Sequence, residues 1–491
     1  MQEHDNLSEI EIEDQKIIEN IELNIWEALI PVIILMALLA YNIFYADGEW
    51  FGTYSNQYIL LMGGLLAAVV GFRNKVGVVT MLSEIWENLK SIFVPIMILL
   101  LVGALAGTWL VSGVIPAMVY YGLQVLNPEI FLPASVVIAA IISIATGSSW
   151  TTSATVGIAL IGIGTALGIS GGMIAGAVIS GAYFGDKMSP LSDTTNLAPA
   201  MSGADLFTHI RYMALTTGPT ILITLIVFGI ISTTIDTTGN ADISGLLATI
   251  DSTFNITPLL FIVPLVVIVL ILLKTKPLIA LGAGVASAAI FAFIFQPEIL
   301  QKVASSNAIA ITKAIFTDTA IETDHVKLNE LFSSGGVKGM GWTIFLIICA
   351  MVFGGVMDAI GALARITREL LKLASSIFGL FASTVISCLG LNVVASDQYL
   401  AIVIPGKMFK KAFDDRGLAP ENLSRTLEDS GTVTSVLIPW NTCGAYQSGV
   451  LGVGVGEYFF YAVFNWLSPF MTLFFAALRI KIKMMTAPKL A

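Results

Sequence analysis

Long apolar stretches alternate with short polar ones along most of the chain. The hydrocarbon core of a bilayer is about 30 Å thick, and a helix of about 20 apolar residues crosses it. The pattern therefore predicts an all-α polytopic membrane protein with roughly ten to twelve membrane elements. The apolar segments cover residues 26–45, 58–72, 92–114, 130–145, 156–169, 172–184, 212–231, 259–273, 277–295, 342–363, 373–390, 399–405, 428–445 and 458–478.

Polar residues interrupt this pattern twice in each half of the chain. The interruptions are residues 146–153 and 185–196 in the first half, and 391–397 and 439–442 in the second. Polar groups at membrane depth are costly unless they face a cavity or bind something, and a broken helix frees carbonyls that can coordinate a cation. We therefore interpret the four breaks as an ion-binding region. The alternatives are polar loops at the membrane surface and helix packing by small residues.

The breaks of the two halves recur at one spacing. Three pairs of residues share an offset of 245 (392 − 147): Gly147 and Asn392, Thr152 and Asp397, Asn196 and Asn441. Repeats with interrupted helices at matching positions are typical of transporter binding sites. The sequence therefore predicts a first membrane repeat at 23–235 and a second at 257–491.

Basic residues indicate which way the segments run, because loops rich in Lys and Arg stay in the cytosol. The basic stretch 73–75 follows the second apolar segment and places that loop, and with it the N-terminus, in the cytosol. Residues 236–256 contain no Lys or Arg and are predicted to form an external linker. The basic stretch 365–372 follows segment 342–363, which must run inward, whereas the matching segment 92–114 runs outward. The repeats are therefore predicted to be inverted.

The composition agrees with a membrane protein. Of 491 residues, 56% are hydrophobic and only 12% are charged, with a mean hydropathy of +0.87. A soluble globular protein carries about 25% charged residues. Residues 1–22 are acidic and lack the basic start and apolar core of a signal peptide, so we interpret them as a cytosolic tail.

The sequence disfavours several other classes of protein. It shows no basic patch of the kind that binds nucleic acid, and no zinc-protease or zinc-cysteine motif, so we expect neither an enzyme nor a cofactor. An intramembrane hydrolase with Asp186 and Asp397 as a catalytic pair is the rival from another class. The hydroxyl groups around both residues and the duplication of the breaks favour ion binding instead.

Two carboxylates are the main candidates for the exchange of ions. Asp193 stands with Thr194 and Asn196, and such hard oxygen ligands suit Na⁺ better than a soft metal. Asp397 lies among apolar residues, with no basic neighbour before Lys407. Because removal from water makes an ionised carboxylate costly, Asp397 is expected to hold a proton until a cation replaces it. The alternative is an ion pair with Lys407.

Further polar residues of the breaks complete the predicted site. Asp186 is a third acidic candidate, although an ion pair with the adjacent Lys187 is an alternative. Direct Na⁺ contact is assigned to Asp193, Asp397 and Asn196. The remaining candidates carry neutral oxygen atoms: Ser149, Thr152, Thr194, Asn392, Ser396, Asn441 and Thr442.

Three segments resemble the NhaC-type Na⁺/H⁺ antiporters. They are GSSWTT at 147–152, GAYFGDKMSPLSDTTN at 181–196 and PWNTCG at 439–444. The resemblance implies proton-driven export of Na⁺ across a bacterial cytoplasmic membrane, with Na⁺ and H⁺ as the transported ions and the lipid bilayer as the surroundings. Some members of the family exchange malate for lactate together with Na⁺ and H⁺, so the substrate stays open, as does a homodimeric state.

The wider superfamily that these antiporters resemble also implies an architecture. Its members pair two re-entrant hairpins and move a transport domain like an elevator. In this chain the hairpins are expected near 130–169 and 373–405.

Overall fold

The computed structural model describes residues 20, 23–46, 49–125, 128–234, 243–273, 275–323 and 326–485. Apart from Asn20, the predicted acidic tail lies outside these residues, and so does the part of the predicted linker before residue 243. The described chain is helical except for turns and one short pair of strands.

The helices follow one another closely along the chain. They are α1 (Ile25–Tyr45), α2 (Ser55–Arg73), α3 (Val78–Ser91), α4 (Phe93–Val111), α5 (Val114–Val125), α6 (Phe131–Thr146), α7 (Ser149–Thr152), α8 (Ile158–Ala166), α9 (Gly171–Met188), α10 (Asp193–Ser202), α11 (Leu206–Thr234), α12 (Ile243–Thr253), α13 (Ile262–Leu272), α14 (Pro277–Phe295), α15 (Pro297–Val303), α16 (Asn307–Phe316), α17 (Val326–Leu331), α18 (Gly336–Gly339), α19 (Gly341–Ala359), α20 (Ala362–Lys372), α21 (Ile377–Val394), α22 (Gln398–Asp414), α23 (Pro420–Leu427), α24 (Thr442–Leu451), α25 (Val455–Tyr458) and α26 (Val463–Ala477).

Shorter elements connect these helices. Two turns have π-helical geometry, Ser153–Gly157 and Glu428–Thr432. Three turns are 3-10 helices: Pro128–Ile130, Pro258–Phe261 and Ser435–Leu437. The strands β1 (Thr319–Ala320) and β2 (Ser333–Ser334) pair antiparallel, with Thr319 opposite Ser334.

Eight helices of the described chain are long and apolar enough to cross a membrane. A ninth span results if the two arms Ser244–Thr253 and Pro258–Leu272, bent by 84°, are counted as one. The prediction of an all-α polytopic membrane protein is therefore confirmed. α12 lies within the segment predicted as an external linker.

The helices break where the sequence predicts. α6 ends at Gly147, whose φ of 67° lies in the left-handed region that glycine adopts easily. Ser148 then accepts a hydrogen bond from the Thr151 N–H (3.2 Å) and starts the next helix. At the first break of the second half, Ser396 has a φ of 61°, an uncommon value for a residue with a side chain, and Asp397 caps α22.

Helix ends and caps recur between the two halves at a spacing of 249 residues (396 − 147). At this spacing, Gly147 and Ser396 both have left-handed backbone conformations. Ser148 and Asp397 are both N-caps, and so are Ser192 and Asn441. Gly203 and Gly452 are both left-handed C-caps. This spacing exceeds the offset of 245 in the residue matches by about one helical turn.

Close packing of α6 against α9 positions the first two breaks. A Cβ atom on Gly181 would lie 2.1 Å from the Val136 carbonyl oxygen, so only glycine allows this approach of the two backbones. Ser143 donates its hydroxyl proton to the Ala182 carbonyl oxygen (2.5 Å). The C-terminal end of α9, which carries Asp186, is thereby held beside the break that follows α6.

Candidate functional site

A cavity of about 540 Å³ lies where the helix breaks meet. Three carboxylates line it, those of Asp186, Asp193 and Asp397. Residues of the first break, Gly147 and Ser148, line it as well. All of the lining residues belong to the described part of the chain, and none of them is Lys, Arg or His.

Four helical segments begin at this cavity. Lining residues lie at the N-terminal ends of α7, α10, α22 and α24: Ser148 and Trp150 for α7, Asp193 for α10, Asp397, Gln398 and Tyr399 for α22, and Thr442 for α24. The N-terminal end of a helix carries a partial positive charge and unsatisfied N–H groups. The fold thus surrounds the carboxylates with groups that favour negative charge.

Asp186 is bound to the start of α7. One of its oxygens, Oδ2, accepts hydrogen bonds from the Ser149 N–H (3.0 Å) and from the Ser149 hydroxyl (2.6 Å). The other oxygen, Oδ1, is buried and has no hydrogen-bond partner among the described residues. Ser149 therefore fixes the carboxylate and leaves one oxygen for a ligand.

Asp193 and Asp397 meet at the first turns of α10 and α22. Asp193 accepts a hydrogen bond from the Thr194 N–H at Oδ1 (2.9 Å), and its Oδ2 accepts one from the Tyr399 hydroxyl. Asp397 accepts hydrogen bonds from the N–H groups of Tyr399 (2.8 Å) and Leu400 (3.1 Å) through Oδ1. Tyr399 therefore connects the two carboxylates.

Two asparagines predicted as ligands form a buried network beside the cavity. Asn392 donates to the Gly431 carbonyl oxygen (2.7 Å) and to the Thr434 hydroxyl (3.0 Å). Asn441 donates to the backbone and side-chain oxygens of Asn392 (3.0 and 3.2 Å) and caps α24 by accepting from the Cys443 N–H (3.0 Å). These contacts join the two breaks of the second half, and neither asparagine lines the cavity.

Comparison with known proteins identifies the family. The sequence profile of the Na⁺/H⁺ antiporter family matches residues 181–480, which contain all three cavity carboxylates. The chain belongs to this family. It is 40% identical over 418 residues to the Na⁺/H⁺ antiporter NhaC of Alkalihalophilus pseudofirmus, a match that covers 85% of this chain and 89% of that protein.

Two further relatives, both from Bacillus subtilis, differ from each other in the activity that they are named for. The Na⁺/H⁺ antiporter NhaC of Bacillus subtilis is 37% identical over 389 residues, with coverage of 79% of this chain and 84% of that protein. The malate-2H⁺/Na⁺-lactate antiporter of the same organism is 35% identical over 416 residues, with coverage of 84% and 86%. The family is thus shown, and the resemblance seen in the sequence is confirmed.

In this member of the family Lys187 does not pair with Asp186. Its ammonium group forms a buried ion pair with Asp429, far along the chain on the π-helical turn after α23. Asp429 also accepts hydrogen bonds from the hydroxyls of Thr216 (2.9 Å) and Thr472. The alternative of an Asp186–Lys187 pair is therefore wrong, and Asp186 lacks a cationic partner among the described residues.

The structure places the predicted site residues in three groups. Asp186, Asp193, Asp397 and Thr442 line the cavity, and Ser149 contacts the first of them. Five predicted residues lie outside the lining and bind other protein groups: Thr152, Thr194, Asn196, Asn392 and Asn441. The Ser396 hydroxyl also lies outside the lining and has no hydrogen-bond partner in the described part of the chain. Among the described residues no three acidic, histidine or cysteine side chains lie close enough to hold a metal ion.

The sequence reasoning missed several residues of the site. Trp150, Gln398 and Tyr399 line the cavity and adjoin predicted residues in the sequence, so their position in the breaks was a usable signal. Glu428 accepts a hydrogen bond from the Thr194 hydroxyl (3.1 Å) and is fully buried. Its sequence neighbours gave no sign of this contact, because Thr194 lies in the other half of the chain.

Proposed function

We propose that this protein is a secondary active antiporter that exports Na⁺ in exchange for protons. The observation that carries the proposal is the cavity lined by Asp186, Asp193 and Asp397 without a basic residue. Na⁺ or protons can neutralise the negative charge of these carboxylates. Membership of the Na⁺/H⁺ antiporter family supports the same activity.

Exchange follows from competition at the carboxylates. A bound Na⁺ stabilises the ionised form of a carboxylate, whereas an empty site favours protonation. Asp193 and Asp397 share this role in the proposal, and Asp186 joins them because its Oδ1 has no described partner. Neutral oxygen atoms complete the coordination of Na⁺ without adding charge. The Thr442 oxygen is the main candidate, because Thr442 lines the cavity.

We further propose that the two halves are inverted repeats that move as an elevator-type transporter. The recurrence of caps and left-handed residues at an offset of 249 (396 − 147) supports the repeats. The positions of basic residues support the inversion and a cytosolic N-terminus. The protein is then a resident of a bacterial cytoplasmic membrane.

Exchange of malate for lactate is the second candidate, since one relative is named for that exchange. Helix N-terminal ends at the cavity are suited to organic acids. However, side-chain oxygens of the protein already accept hydrogen bonds from backbone N–H groups at these helix ends. The acceptors are Asp186 at α7, Asp193 at α10, Asp397 at α22 and Asn441 at α24. Lys187, the nearest buried cation in the sequence motif, is paired with Asp429. The cavity therefore favours cations.

Proteoliposomes that contain a pH-sensitive dye test the two candidates. Under Na⁺/H⁺ antiport, a pulse of external Na⁺ moves protons outward in the absence of any organic acid. Under malate–lactate exchange, proton movement requires malate on one side and lactate on the other. A protein that responds only when both organic acids are present would contradict the proposal.

A further inference from the structure

The cavity between the helix breaks is much larger than a single cation. Its volume is about 540 Å³, whereas one water molecule takes up about 30 Å³ in the liquid. Pockets that bind small organic molecules measure roughly 300–1,000 Å³ and combine mostly apolar walls with a few polar groups. This cavity has the size of an organic ligand site.

Apolar and aromatic side chains form one part of its wall. Ile92 and Ile98 at α4 and Ile271 of α13 provide apolar surface. The aromatic residues Trp150 and Tyr399 line the cavity as well, and the Tyr399 hydroxyl donates to Asp193. Aromatic faces attract organic cations, and substituted ammonium groups are recognised in this way.

Three carboxylates stand among neutral hydroxyl and amide side chains in the remaining part of the wall. Asp186 is 7% exposed, and its Oδ1 has no hydrogen-bond partner in the described chain. A buried carboxylate oxygen without a partner is costly, so it points to a ligand independently of the acidic cluster. A cation suits this oxygen, because no basic residue lines the cavity to balance the charge of the carboxylate.

We propose that this cavity binds a monovalent organic cation of the substituted ammonium class in competition with Na⁺. The inference rests on the proposed function and deepens it, because it names a second class of ligand for the same carboxylates. The apolar groups of the ligand contact the isoleucine wall and the aromatic rings, while its positive charge faces Asp186, Asp193 and Asp397.

Tetramethylammonium is the probe, since it keeps its charge at every pH. In the first measurement, the Tm of the purified protein is followed against probe concentration. A ligand that binds the folded state raises Tm increasingly once its concentration exceeds its Kd. The rise is expected in the unmodified protein and in Ile290→Phe, a control on an exposed part of α14. It is expected to be smaller in Ile98→Phe, which narrows the cavity at its apolar wall, and in Val94→Phe, a second wall variant.

In the second measurement, the probe is added to proteoliposomes that move protons in response to Na⁺. At about ten times its own Kd, tetramethylammonium is expected to raise the apparent Km for Na⁺ by roughly tenfold and to leave the maximal rate unchanged. Relief by excess Na⁺ shows that both cations use one site.

Each outcome of these two measurements either supports or overturns the inference. No rise in Tm overturns the inference, whether or not Na⁺ moves protons. An equal rise in both wall variants also overturns it, because the probe then binds elsewhere, and so does a rise without competition against Na⁺. A rise that the wall variants reduce and that excess Na⁺ suppresses, in a protein that shows no proton movement with Na⁺, supports the shared cation site and defeats the proposed Na⁺ antiport.

Discussion

Asp186 at the end of α9 accepts two hydrogen bonds from Ser149, at 3.0 Å from its N–H and 2.6 Å from its hydroxyl. The contact joins the two polar breaks of the first half, which are separated in the sequence by α8 and α9. The position of the carboxylate in the cavity therefore depends on the shape of the first break.

Ser149→Ala should weaken the binding of Na⁺. It removes the hydroxyl donor to Asp186, and a hydrogen bond to a charged group contributes about 1.5–3 kcal/mol. We expect the apparent Km for Na⁺ in proteoliposomes to rise by roughly tenfold or more. Ser153→Ala is the matched control, since the Ser153 hydroxyl is buried and has no described hydrogen-bond partner. Equal Km values for the two variants would show that the contact does not matter for transport.

Asp193→Asn and Asp397→Asn should each abolish Na⁺-dependent proton movement without preventing insertion into the membrane. Asparagine keeps the shape and still caps a helix, but it cannot exchange a proton for a cation. The same loss is expected for Asp186→Asn, because Asp186 does not pair with Lys187. Proton movement in proteoliposomes and the amount of protein in the membrane are the two measurements.

Asp205→Asn is the control for these three variants. Asp205 caps α11 by accepting from the Thr208 N–H (3.0 Å) and lies outside the cavity. We expect it to keep full antiport. Full antiport by both Asp193→Asn and Asp397→Asn would contradict the assignment of these two residues to the exchange of Na⁺ for protons.

Lys187→Met should destabilise the fold. It leaves Asp429 buried without its cation, and breaking a buried ion pair costs about 3–5 kcal/mol. The double variant Lys187→Met, Asp429→Leu removes both charges and should recover part of the loss. The measurement is the Tm of each purified variant. A double variant less stable than Lys187→Met alone would contradict this account of the pair.

Gly181→Ala should lower the Tm and the transport rate together. The added Cβ would lie 2.1 Å from the Val136 carbonyl oxygen, so α6 and α9 must move apart, and overpacking of this kind costs about 1–3 kcal/mol. Movement of these helices also displaces Asp186 from Ser149. Gly282→Ala on α14, where no atom lies within 4 Å of the new Cβ, should leave both quantities unchanged.

The sequence determined the class of protein and the place of its breaks. Apolar segments long enough to cross a bilayer have to form helices there, because every backbone polar group needs a partner within the segment. Polar groups such as those at 146–153 and 391–397 stand out against this background. The family followed from the motif around Asp186 and Asp193, and both carboxylates line the cavity.

The tertiary structure alone decided which polar groups face each other. Lys187 has an acidic neighbour in the sequence, yet it pairs with Asp429 in the other half of the chain. Asn392 and Asn441 look like ligands in the sequence but satisfy each other in the interior. A sequence shows that a buried charge or amide needs a partner, whereas the choice of partner depends on which helices pack together. Only the packing of the two halves therefore separates the cavity residues from the groups that support them.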